Sequence, residues 1–178
     1  MSLFDEEAAH DRSLRRFERA VRGGRNGRLA ENSWWGDHVS IRDIAAVVDW
    51  CAGKGLRVEF VKRANAVFDR NTMTISIASN VRPPRQLIYL LHECGHYMIS
   101  AIASKDDRFK MGYALGDGFT SERGFPHKLA CIEEEFEAWH RGWRLARRLK
   151  LGIKREQFDA VRRVCLRTYM VWGTKSGK

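Results

Sequence analysis

The chain predicts an α+β domain, a small antiparallel three-stranded sheet packed with helices, and three features of the sequence point to it. Apolar residues recur at three- and four-residue intervals in several windows, the mark of helices with one buried face. Between residues 56 and 78 they alternate with polar ones around turn-forming residues, as in half-buried strands. A long apolar run beginning at Pro83 then carries His92-Glu93-Cys94-Gly95-His96, two histidines four positions apart on one helix face. With 178 residues, 44% of them hydrophobic, the chain suffices for one domain with a substantial core and is too short for a second full one.

The elements follow in order. Residues 1–30 hold seven arginines and read as a charged helix closed by the linker Arg22-Gly23-Gly24-Arg25-Asn26-Gly27-Arg28. The main domain is expected over 31–150, with a basic C-terminal helix, 151–178, packed on it. Ser40-Ile41-Arg42-Asp43 resembles a capping box, and Ile41, Ile44, Val47, Val48 and Cys51 form an apolar helical face ending at Gly53 and Gly55. Leu56, Val58 and Phe60 alternate with Arg57, Glu59 and Val61 as a strand. Residues 66–68 and 72–78 flank the turn signal Asp69-Arg70-Asn71 and read as a hairpin, with Met73, Ile75 and Ile77 on its buried face. The 73–77 strand is expected to be an unpaired edge beside the cleft, to which an extended substrate could add. Pro83 and Pro84 suit a helix start, and Leu129, Ile132, Phe136, Trp139, Trp143 and Ala146 mark a buried stripe from about Lys128 to Lys150. The stretch Ser104 to His127, with Gly112, Gly116, Gly118 and Gly124, reads as a flap or substrate loop.

The H-E-x-x-H box carries the chemistry. Two imidazoles stacked on one helix face can grip a zinc ion, and Glu93, about 100° round the helix, falls beside it. There it can act as general base toward a water whose pKa the metal lowers to roughly 7, the chemistry of a zinc peptidase. Gly95 costs about 1 kcal/mol in a helix interior, which suggests that another backbone comes close there. A third protein ligand is needed. In Glu133-Glu134-Glu135-Phe136-Glu137, taking Ile132 as zero, Glu133, Glu134 and Glu137 fall at about 100°, 200° and 140° and point to solvent. Glu135 falls near about −60°, at the stripe's edge among the small residues Cys131, Ala138, Gly142 and Ala146, where a carboxylate needs a partner. Metal ligation by His92, His96 and Glu135 is therefore expected.

The box together with Glu135-Phe136-Glu137-Ala138-Trp139, whose Glu135 lies 39 positions after His96, resembles the ImmA/IrrE-type metallopeptidases, minimal zincin-like gluzincins. The resemblance covers roughly residues 40 to 150. It implies zinc held by the box histidines and a glutamate of a later helix, Glu93 as general base, and regulatory proteolysis of a repressor or other specific protein. Family members continue from E-x-x-A with Asn and then Phe-Ala. Trp139-His140-Arg141-Gly142 stand here instead, which leaves Glu134 as the alternative third ligand. Candidate donors to the oxyanion of a tetrahedral intermediate are Tyr113 and His127, then Tyr97 and His140.

Charge and cysteines bound the rest. The net charge of +10 sits entirely in residues 141–178, which hold twelve Lys or Arg against Glu156 and Asp159. A final helix with Phe158, Val161, Cys165 and Trp172 inward would carry Arg155, Arg162, Arg163 and Arg167 outward, a face for nucleic acid or an acidic partner. Four scattered cysteines, no apolar span of membrane length and no apolar N-terminal signal region suggest a cytoplasmic protein with reduced thiols and no membrane association. The function expected is a zinc-dependent intracellular peptidase acting on a protein or peptide substrate. The alternative is a zinc-containing DNA- or RNA-associated, phage or assembly protein that keeps the peptidase fold without catalysis.

Overall fold

The computed structural model describes residues 41–109, 112 and 124–174. The expected helix and linker at 1–30, and Tyr113 in the glycine-bearing stretch, lie outside the described residues. Among the described residues there are four α-helices and three strands, and the fold class is α+β.

Helix α1 (Ile41–Ala52) buries Ile44, Val47 and Cys51 of the face its periodicity marks, while Ile41 at its start is exposed. It ends as Gly55 adopts φ +75° and the Leu56 N–H bonds back to the Cys51 carbonyl, a left-handed exit that glycine makes without strain. The chain then enters β1 (Arg57–Val61), turns, forms the short β2 (Val67–Asp69) and returns through β3 (Thr74–Ala78). At the β2–β3 turn, the Asp69 carboxylate accepts hydrogen bonds from the Asn71 N–H and the Thr72 hydroxyl, and Met73 takes φ 51°.

The sheet differs from the all-antiparallel expectation. Its order is β1-β3-β2; β2 pairs antiparallel with β3, but β1 pairs parallel with β3, Val58 opposite Ile75 and Phe60 opposite Ile77. Nor is the 73–77 segment an edge, since β3 is the central strand. The physical reason is burial. Thr74, Ile75 and Ile77 are all buried, so β3 belongs where strands and a helix cover it, whereas β1 with Arg57 and Glu59 and the short β2 tolerate an open side. Alternation reveals that a segment is a strand but not which neighbour it pairs with.

Helix α2 (Pro83–Ser100) starts on two prolines, whose fixed φ suits the first turn, and the Gln86 amide donates to the Ala78 and Ser79 carbonyls, tying helix to sheet. It lies between the sheet and helix α3 (Phe125–Arg148), with α1 against its flank. Helix α4 (Arg155–Thr174) packs on α3 through Phe158, Val161 and Leu166. The interior is formed by Val47, Ile75, Ile77, Leu87, Ile88, Leu90, Leu91, Ile99, Trp139 and Phe158. Between α2 and α3 the expected loop opens with two 3₁₀ turns, Ala103–Lys105 and Asp107–Phe109, and Phe109 packs with Ile99, Ala103 and Ala138. Among the described residues, no helix is long and apolar enough to cross a membrane.

Candidate metal centre

Helices α2 and α3 touch backbone to backbone, which brings their polar side chains together. A Cβ added to Gly95 would collide with the Ala138 main chain, and one on Gly142 would lie 2.5 Å from the Leu91 carbonyl oxygen. Gly95 opposite Ala138 and Leu91 opposite Gly142 show that the helices run antiparallel and that the small residues of both are what lets them approach. Gly95 and the Ala138 and Gly142 pair thus play the part their sequence positions suggest.

At this contact three side-chain tips converge. His92 Nε2 lies 3.2 Å from His96 Nε2 and 3.2 Å from one Glu135 oxygen, and His96 Nε2 lies 3.3 Å from the other. Ligands bound tetrahedrally to one small cation at about 2.0–2.1 Å stand about 3.3–3.4 Å apart, so the group has the dimensions of a metal site. His92 and Glu135 are buried and His96 nearly so, and together the three residues can hold a metal ion. His92 Nδ1 is buried without a hydrogen-bond partner among the described residues, and the buried Glu135 Oε2 has only the His92 ring nitrogen, poorly aligned, at 3.2 Å. A buried carboxylate facing two imidazole nitrogens is the chemistry that a cation completes. Two imidazoles and one carboxylate leave a coordination position open for another ligand.

The charges at the site are mutually adjusted. Burial alone would raise the Glu135 carboxyl, but the charges of His96 and His92 and hydrogen bonds from both rings hold it well below the ordinary carboxylate range. Burial alone would lower the His96 imidazole, but the Glu135 charge and hydrogen bonding to Glu134 and Glu135 hold it well above the ordinary histidine value. Glu93, also buried, is pushed up by burial and by Glu135, while His92, His96 and the Phe68 N–H pull against that rise. That N–H belongs to β2, which packs against α2. Cys94, on the far side of the box, touches the Cys51 thiol at 3.5 Å, and burial holds its thiol well above the ordinary value.

Two neighbours of the site take places there that the sequence reading did not give them. Trp139 stacks on His92, ring centroids 4.2 Å apart and planes inclined by 20°, with Phe158 of α4 edge-on to its other side. Glu134, expected to face solvent, is 2% exposed and places Oε1 3.4 Å from His96 Nδ1. The single-stripe reading of α3 misplaced it because α3 is covered on more than one side, by α2, by α4 and, at Glu134, by Gly112. A Cβ at Gly112 would collide with the Glu134 carboxylate. The third-ligand alternative is thereby given a different place, on the outer nitrogen of His96, while Glu135 meets both inner nitrogens.

The remaining candidates stand apart from the triad in their described contacts. His127 pairs its Nε2 with Cys131 Sγ at 3.4 Å, two helical turns, about 12 Å, before Glu135. The Tyr97 ring packs edge-on against Trp50 and Phe68, and His140 is exposed. On α4, Asp159 pairs with both Arg155 and Arg162, which also lie over the Trp143 and Phe136 rings, while Arg163 and Arg167 are exposed. No protein-family model, curated protein or solved structure matches the chain.

Proposed function

We propose that this protein is a zinc-dependent intracellular peptidase of the minimal gluzincin kind, hydrolysing a peptide bond in a specific protein substrate, as its likeness to the ImmA/IrrE-type enzymes suggests. The observation that carries the reading is the convergence of His92, His96 and Glu135 at ligand spacing with a buried Glu93 beside them. Zinc is favoured because two imidazoles and a carboxylate with one position left open form a known catalytic zinc set, and when bound it supplies a Lewis acid that polarises a carbonyl and acidifies water.

The chain's own residues supply the rest. Glu93, with a raised pKa, suits a group that takes a proton from the attacking water and returns it to the departing amine. The Phe68 N–H faces that carboxylate and favours its charged form. Strand β2 lies beside Glu93 at the sheet's open side, so an extended substrate can be oriented there by backbone hydrogen bonds. This moves the expected docking edge from β3 to β2. All four cysteines are free thiols, including Cys51 and Cys94 in contact, which supports a reducing, cytoplasmic setting.

The experiment is the Glu93→Gln variant, assayed for zinc content and for cleavage of a random-sequence peptide library by mass spectrometry. We expect zinc retained and cleavage reduced by about 10²–10⁴-fold. Unchanged cleavage would reject the general-base role. A wild-type protein that binds zinc yet cleaves no peptide would favour a structural role for the metal.

A further inference from the structure

We propose that Glu134 is the positioning residue of the metal centre: its carboxylate holds the His96 imidazole at Nδ1, turning Nε2 toward Glu135 and His92. The inference rests on the reading of His92, His96 and Glu135 as metal ligands and adds a residue that acts through one of them.

Glu134 and Glu135 are consecutive, both are 2% exposed, and they reach opposite edges of the same ring. A carboxylate in a protein interior is costly unless it is hydrogen-bonded. Glu134 meets that demand at His96 Nδ1, 3.4 Å from its Oε1, on the side of the ring away from His92. A neutral imidazole carries one N–H. If it sits on Nδ1 and donates to Glu134, the lone pair of Nε2 is free to bind a metal, and the ring can no longer rotate or flip without losing that bond. Gly112 strengthens the assignment, because any side chain there would displace the Glu134 carboxylate. The other histidine is fixed by different means: His92 Nδ1 has no hydrogen-bond partner among the described residues, and its ring is held by the face of Trp139. One ligand is therefore oriented by a charged acceptor and the other by an aromatic plane.

The test measures zinc affinity by competition with a chromophoric chelator for the wild type, Glu134→Gln and Glu134→Met. Glutamine keeps an acceptor oxygen in the same place; methionine fills the space without one. Positioning predicts that the Gln variant stays near wild type and the Met variant binds zinc about 10–100-fold more weakly. Wild-type affinity in the Met variant, or equal losses in both variants, would overturn the proposal, since packing alone would then account for Glu134. A measurement on the wild type does not depend on either variant folding: long-range ¹H–¹⁵N correlation of the zinc-loaded protein should show His96 as the Nδ1–H tautomer. An Nε2–H tautomer would overturn the proposal. Failure of the wild type to take up zinc would defeat the metal reading and this inference together, whereas normal zinc binding with an unaffected Met variant defeats this inference alone.

Discussion

Protons and a bound cation would compete for the same atoms at His96 and Glu135. In the metal-free protein the folded-state value of His96 lies above 6.5, so the stability it contributes is complete below that pH and fades as pH rises through the folded value. Glu135 has the opposite sign. Its folded-state value lies below 4.5, so its contribution is present above that pH and is lost only on acidification. Glu93, raised above 4.5, adds to the loss on the alkaline side. Metal binding needs His96 without its proton, so the two equilibria oppose each other. The metal-free protein should thus be more stable at pH 6 than at pH 8, and the rise in melting temperature on adding zinc should be larger at pH 8. Thermal melts with zinc and with a chelator at both pH values check this; a zinc-induced rise that shrinks between pH 6 and 8 would contradict the assignment of His96. The two histidines and Glu135 were legible in the sequence because helix geometry allows few alternatives. Glu134 was named only as an alternative ligand, and its place on the outer side of His96 was not legible, because its burial involves Gly112, which no periodicity within α3 reports.

At the scale of elements, the site exists because α2 and α3 meet without side chains between them. Ala is intrinsically better than Gly in a helix by about 1 kcal/mol, yet the Gly95→Ala methyl would strike the Ala138 main chain. Backbone cannot move aside as a flexible side chain can, so the cost of overpacking, about 1–3 kcal/mol, should win. Urea denaturation of Gly95→Ala should show this loss together with weaker zinc binding, because the ligands sit on both helices. A variant as stable as the wild type would mean that the helices do not make the close contact. The start of α2 and the β2–β3 hairpin could be read from prolines and the Asp69 turn, signals that act within a few residues, whereas α3 begins at Phe125, three residues before the expected start and inside the stretch read as a loop. The parallel pairing of β1 with β3 could not. It depends on which strand takes the centre of the sheet, and that is decided by α2 packing on β3, far along the chain.

Across the molecule, the C-terminal helix reaches the metal centre through a stack of rings. Phe158 of α4 lies edge-on to Trp139, which lies flat on His92. Phe158 is 1% exposed, so Phe158→Ala should cost about 3–5 kcal/mol in denaturant unfolding and loosen the Trp139 ring that braces His92. A loss under 1 kcal/mol would show that α4 is not part of the same packed unit. The inward stripe of α4 was legible from Phe158 and Val161, whereas the pairing of Arg155 and Arg162 with Asp159 was not, since a charge surplus does not reveal which charges are already partnered. The account as a whole stands on one cation held by His92, His96 and Glu135. Metal analysis after exhaustive dialysis tests it most directly: wild type should retain one zinc per chain and Glu135→Ala should lose it, whereas a Glu135→Ala protein that keeps stoichiometric zinc would contradict the account.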